Sequence, residues 1–234
     1  MAQIYTVQQG DFLAKIADQF QINDYHLIWD DPHNAALKQA RVSPNVLYPG
    51  DSLYIPDKRQ KQDSRVTDQK HVHQVSRLGA KLIIVLRDAG YDPIKNTPYK
   101  LQIEGTTQPD TPPTQTDGGG KFIKSPLGLD AHVGQLRIAR KGSLLEAGIG
   151  IKIGDLNPVT TPSGQMARLN NLGYFAGKLE TGDQMDRKET VSDDEMAQFE
   201  SAVEEFQCDH MGQPAVDGKC GKNTQASLLK VYGC

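Results

Sequence analysis

The 234-residue chain carries 26 Lys and Arg against 29 Asp and Glu, a formal charge of −3. It therefore lacks the basic excess that a phosphate backbone attracts, and no nucleic-acid partner is expected. Hydrophobic residues make up 37%, too little for one large core, and the most apolar stretch, Leu82 to Leu86, is far short of the ~20 residues that cross a bilayer, so no membrane insertion is expected.

In chain order, Ile4-Tyr5-Thr6-Val7 alternates and is rich in β-branched and aromatic side chains, which predicts a strand. Gly10 permits a sharp turn, and Asp11 is the expected N-cap of a helix. Leu13, Ile16, Ala17 and Phe20 follow at helical spacing. Asn23-Asp24 opens a second short helix with Leu27 and Ile28. Pro49-Gly50 turns the chain into a closing strand, with Leu53 and Ile55 on one face and Ser52 and Tyr54 on the other.

The phrases IYTVQQGDFLAKIADQF and VLYPGDSLYIPDK, which bracket residues 4–56, resemble the LysM module. This is a small βααβ domain that binds N-acetylglucosamine-containing glycans such as peptidoglycan and chitin. The resemblance implies a shallow sugar groove. One wall would be Gly10, Asp11, Phe12 and Leu13, after the first strand. The other would be Asn45, Val46, Leu47 and Tyr48, before the second. Backbone groups would pair with the acetamido unit and apolar side chains would cover its methyl. On the residues alone, Phe12, Leu47 and Tyr48 serve equally well to close a small core.

The segment WDDPHNAALKQARVSPNVLYPGD is longer than the usual LysM connection by a turn or two of helix. The added piece, Asn34–Val42, holds helix-forming Ala35, Ala36, Leu37 and Lys38. It lies beside the expected groove, which it either extends or obstructs. Leu37, Lys38 and Arg41 form a candidate protein-partner surface at the rim. The wording HN…L…R…PNVLYPGD resembles LysM-bearing proteins of contractile injection systems, including type VI secretion spikes and phage-tail-like particles. That resemblance implies a spike or baseplate partner.

Residues 58–74 are polar and charged and read as a linker or a solvated edge; His71 and His73 fall to one side there and read as solvated or structural rather than as a metal site. Residues 75–157 read as a small β-sandwich with strands Lys81–Arg87, Tyr99–Ile103, Lys121–Ile123, Gln135–Arg140 and Gly148–Ile153. Turns fall at Asp88–Gly90, Gly105–Pro113 and Asp117–Gly120. The phrase YKLQIEG…TQTDGGGKF resembles carboxypeptidase regulatory-like or transthyretin-like sandwiches. Asp110, Asp117 and Asp130 are read as turn aspartates, since no loop has the ligand density of a calcium motif. The triple glycine lacks the Lys-Ser ending of a phosphate cradle.

Within residues 158–234, Met166, Leu169 and Leu172 mark a helix ended by Gly173. Ser192 and Glu195 form a capping box, and Met196, Phe199, Val203 and Phe206 make an apolar helical stripe. Asp217-Gly218 turns the chain, and Thr224 and Leu228 belong to a last helix. RLNNLGY, AVEEFQCDH and VDGKCGKNTQASL, in that order, resemble the three-helix peptidoglycan-binding domain appended to cell-wall hydrolases. LETGDQMDRKETV departs from that pattern and reads as a polar loop. A ligand surface on this domain would come from loops, for example around Tyr174 or Asp217.

No catalytic constellation assembles. Cys208 and His210 are close neighbours at a helix end and point apart, so no thiol and base pair up. HExxH and GxSxG do not occur. Cys208, Cys220 and Cys234 read as reduced thiols, with a Cys208–Cys220 bridge as the alternative, and Cys-x-His is tighter than structural zinc spacing. Asp193, Asp194 and Glu195 open a helix, where negative charge offsets the dipole. The N-terminus lacks the basic start and apolar run of a secretory signal. Synthesis in the cytoplasm is expected, followed either by action there or by delivery to the periplasm or envelope, for which a secretion apparatus is one route.

The expected fold class is α+β multidomain: a LysM-like module (1–57), a linker (58–74), a β-sandwich-like domain (75–157) and a peptidoglycan-binding-like helical domain (158–234). The expected function is non-catalytic cell-wall binding, without metal or cofactor, through both terminal modules. The alternative is a structural or cargo adaptor of a contractile injection system.

Overall fold

The computed structural model describes residues 2–58, 64, 66–70, 79–104, 114–140, 143–144 and 148–234. His71, His73, Asp110, the turn at 105–113 and much of the linker lie outside the described residues. The fold is α+β and divides into two compact units. One joins Met1–Asn45 to Pro49–Asp155; the other joins Val46–Tyr48 to Leu156–Cys234.

The first unit begins with a βααβ module. Strand β1 (Gln3–Thr6) pairs antiparallel with β2 (Ser52–Ile55), Tyr5 lying opposite Leu53. Helices α1 (Leu13–Gln19) and α2 (His26–Trp29) run between them. Leu13, Ile16, Ala17, Ile28, Trp29, Leu53 and Ile55 are buried, so both predicted apolar faces meet in one core. Asp11 is not the N-cap. That position belongs to Phe12, which makes no side-chain capping bond. Gly10, with φ at +82°, folds the chain back, and the Asp11 carboxylate is taken by the turn that precedes it.

The added segment is helical: a 3-10 turn at Pro32–Asn34 runs into α3 (Ala35–Arg41). Asn34, only 2% exposed, stitches it to the closing strand. Its Nδ2 donates to the carbonyls of Ile28 and Tyr54, and its Oδ1 accepts from the Tyr54 amide, each at 2.8 Å. These bonds satisfy backbone groups that burial would otherwise leave unpaired.

The β region of this unit has two sheets. Strand β3 (Ala80–Val85) pairs antiparallel with β5 (Lys121–Leu127). Strand β6 (Val133–Arg140) pairs with β4 (Tyr99–Ile103), β7 (Ser143–Leu144) and β8 (Ile149–Lys152). Both sheets feed one core of Leu101, Ile103, Phe122, Leu127 and Leu136, with Leu82 and Ile84 against it. Asp117 holds its turn as a turn aspartate does: its Oδ1 accepts from the amides of Gly119 and Lys121. Those bonds hold its carboxyl below the usual range.

The second unit is helical, with α4 (Pro162–Leu172), α5 (Leu179–Asp186), α6 (Asp193–His210) and α7 (Lys222–Tyr232). Met166, Leu169, Phe199, Val203, Phe206 and Leu228 form its core. Gly173 ends α4 in the left-handed region, and the Ser192–Glu195 capping box opens α6. The segment expected as a polar loop instead contains α5. Thr181 and Gly182 are its buried residues, with Met185 partly buried against the core, so its close contact is made by small side chains and backbone. Among the described residues no helix is long and apolar enough to cross a membrane.

Candidate functional site

The loop after β1 is assembled by short-range bonds. Asp11 Oδ2 accepts from the Tyr5 hydroxyl at 2.7 Å and from the Gln8 amide at 2.9 Å, while Lys15 Nζ stands 3.5 Å from Asp11 Oδ1. Burial, followed by the bond to Asp11, pushes the Tyr5 phenol up to about 12, so it stays a donor. The Leu13 amide donates to the Pro44 carbonyl at 3.1 Å, tying the start of α1 to the loop before β2.

Gly10, Asp11, Phe12 and Leu13 are all buried, whereas Asn45 is exposed, Val46 and Leu47 are buried and Tyr48 is half-buried. The outer side of the Gly10 loop faces the β region of the same unit. A methyl group placed on Gly10 would stand 3.3 Å from the His132 ring; one on Gly154 would stand 3.3 Å from the Gly10 carbonyl oxygen. Both glycines have positive φ, so two bare backbones approach where side chains would not fit. In the second unit the Tyr48 hydroxyl donates to Asp186 Oδ2 at 3.2 Å. The same carboxylate accepts from the Ser163 hydroxyl.

The rim candidates are partly engaged. Arg41 makes a two-pronged contact with Asp51, Nε to Oδ2 at 2.7 Å and Nη2 to Oδ1 at 2.6 Å. Lys38 pairs with Asp30, and Leu37 is half-buried. The two-pronged Arg41 contact anchors α3 to the turn that enters β2.

In the helical unit, Tyr174 is buried and satisfied: its hydroxyl lies 2.9 Å from Asp209 Oδ2 and 3.0 Å from His210 Nε2. Asp217 is fixed by Gln207, itself 1% exposed. Gln207 Nε2 donates to Asp217 Oδ1, the Lys219 carbonyl and the Thr224 hydroxyl; its Oε1 accepts from the amides of Asp217 and Gly218. Cys208, Cys220 and Cys234 are free. Burial pushes the Cys220 thiol up to about 12, so that side chain stays a thiol near neutrality. Among the described residues no three His, Cys, Asp or Glu side chains group to hold a metal ion.

Residues 5–24 match the LysM domain. No match was found among curated proteins or among solved structures. LysM domains bind peptidoglycan-like glycans and are not catalytic. The match spans the second half of β1, the Gly10 turn, α1 and the approach to α2. The wall at Asn45–Tyr48 and the helical unit lie outside it. Nothing in the sequence marks Asn34 or Gln207 for these bonding roles, because a lone polar side chain gives no sign of partners far along the chain.

Proposed function

We propose that the protein is a non-catalytic cell-wall-binding protein that recognises peptidoglycan or a related N-acetylglucosamine glycan. The LysM match at residues 5–24, on a βααβ module, carries this reading. Gly10–Leu13 and Asn45–Tyr48 are its proposed contact walls, and the helical unit is its second wall-binding module. In this reading the chain is made in the cytoplasm and reaches the envelope through a secretion apparatus. Asp11 and Tyr48 both hold local structure, so the exposed Asn45 is the cleaner probe. The full chain should co-sediment with insoluble peptidoglycan. Asn45→Ala should weaken that about fivefold, the effect of losing ~1 kcal/mol. Sedimentation equal to that of an unrelated acidic protein of similar size would remove the reading.

The burial of Gly10–Leu13 favours a second reading, in which the modules dock protein partners as an adaptor of a contractile injection apparatus. Leu37, Lys38 and Arg41 would then supply partner surface. Crosslinking in the native cell followed by mass spectrometry should recover a spike or baseplate protein. Recovery of wall fragments alone would leave only the first reading.

A further inference from the structure

The proposed contact wall Asn45–Tyr48 is divided between the two units. Asn45 and Pro49 belong to the first, and Val46–Tyr48 to the helical one. The chain on either side is fastened within the first unit. Before the excursion, the Pro44 carbonyl accepts from the Leu13 amide at 3.1 Å. After it, the Gly50 amide donates to the Val7 carbonyl at 2.8 Å, and the Val7 amide to the Asp51 carbonyl at 2.9 Å. Three residues, Val-Leu-Tyr, therefore leave the βααβ module as a tab. Val46 and Leu47 are each 5% exposed, so neither has apolar surface free to cover a sugar methyl.

The helical unit carries a receptor for the end of this tab. The Tyr48 hydroxyl donates to Asp186 Oδ2 at 3.2 Å. Asp186 is the last residue of α5, where the helix dipole disfavours a carboxylate. The start of α4 offsets that cost. Asp186 Oδ1 accepts from the Ser163 amide at 3.2 Å, and Oδ2 from the Ser163 hydroxyl at 2.5 Å, in the first turn of α4, where negative charge is favoured. The Ser163 hydroxyl in turn accepts from Asn157 Nδ2 at 2.8 Å. Two helices thus aim the carboxylate without help from Tyr48.

We propose that the tab is a latch: the helical unit and the glycan compete for Val46–Tyr48, so the chain withholds one wall of its own sugar site until the tab is released. The proposal rests on the glycan-binding reading above. The only polar bond to the helical unit that it invokes joins a hydroxyl to a carboxylate, enough to bias the tab and weak enough to be displaced. The measured Kd is then the intrinsic one divided by the fraction of chains whose tab is free. Loosening the latch should tighten binding, the opposite of what losing a sugar contact does.

The test is calorimetric titration of the full-length chain with the β-1,4-linked N-acetylglucosamine tetramer, beside amide hydrogen exchange at residues 46–48. Asp186→Ala and Tyr48→Phe remove the bond from its two sides; Tyr48→Phe keeps the ring and leaves the start of α4 intact. Each should lower the Kd about fivefold and speed exchange at 46–48. The double variant should do no more than either single one, because both act through one bond. An unchanged or raised Kd in Tyr48→Phe, tighter binding without faster exchange, or additive effects in the double variant would overturn the latch and leave the LysM reading standing. No binding by the wild type or any variant would remove the LysM walls, and the latch with them.

Discussion

Val42 has φ +60° and ψ −41°, and the Ser43 amide donates across it to the Arg41 carbonyl. This is a γ-turn of the rare, strained hand, with a β-branched residue at its centre. Val42 is also 75% exposed, so little packing offsets the strain. Val42→Gly should stabilise the chain by about 1 kcal/mol, net of the extra chain entropy of glycine. A urea midpoint that falls instead of rising would refute the strain. Gln207 makes the opposite case. Gln207→Leu strands buried donors and acceptors around the 217–224 loop and should cost about 3 kcal/mol in the same measurement. Asp217, bonded to Gln207 and to the Lys219 amide, is held below the usual carboxylate range. A depressed folded pKa contributes stability above the unfolded value of about 3.9, and loses it as pH falls through the folded value. The stability gap between wild type and Asp217→Asn should therefore be largest near neutrality and shrink below about pH 4.

At the scale of elements, helix α5 sits against α4 by backbone approach. A methyl group on Gly182 would stand 2.6 Å from the Ser163 Cα. Gly182→Ala should force the helices apart and cost about 1–3 kcal/mol in a chemical melt; an unchanged melt would mean the pair is free to separate. This packing also explains why α5 could not be read from sequence. Helix α6 announces itself through Phe199, Val203 and Phe206, whereas α5 offers only Leu179 and Met185 among polar residues and is buried at Thr181 and Gly182. The sequence pattern ends β5 at Ile123, whereas the strand runs to Leu127. Lys124-Ser125-Pro126 lacks alternation, and proline argues against a strand unless its missing N–H falls where no ladder bond is needed. Strands β4 and β6, patterned throughout, were legible almost to the residue. The βααβ pattern and the helical insertion were legible too, but the stitch by Asn34 was not, because Tyr54 becomes its neighbour only after folding.

At the scale of the whole molecule, each unit has its own core, so unfolding is not expected to obey a single two-state transition. Gln207→Leu should therefore lower one calorimetric transition and leave the other in place; a uniform shift would show that the units melt together. The candidate glycan loop was legible as a LysM feature, but its covering was not. His132 and Gly154 carry no mark in sequence that they meet Gly10. The bare-backbone contact of Gly10 and Gly154 bears on how sugars are screened. A peptide cut after residue 57 would wet a strip of loop that the intact chain keeps dry, and its affinities would describe a surface the whole protein does not present. Rankings of oligosaccharides from such a fragment should therefore reorder when repeated on the full chain, most of all for sugars long enough to reach past Asp11 toward the newly opened side.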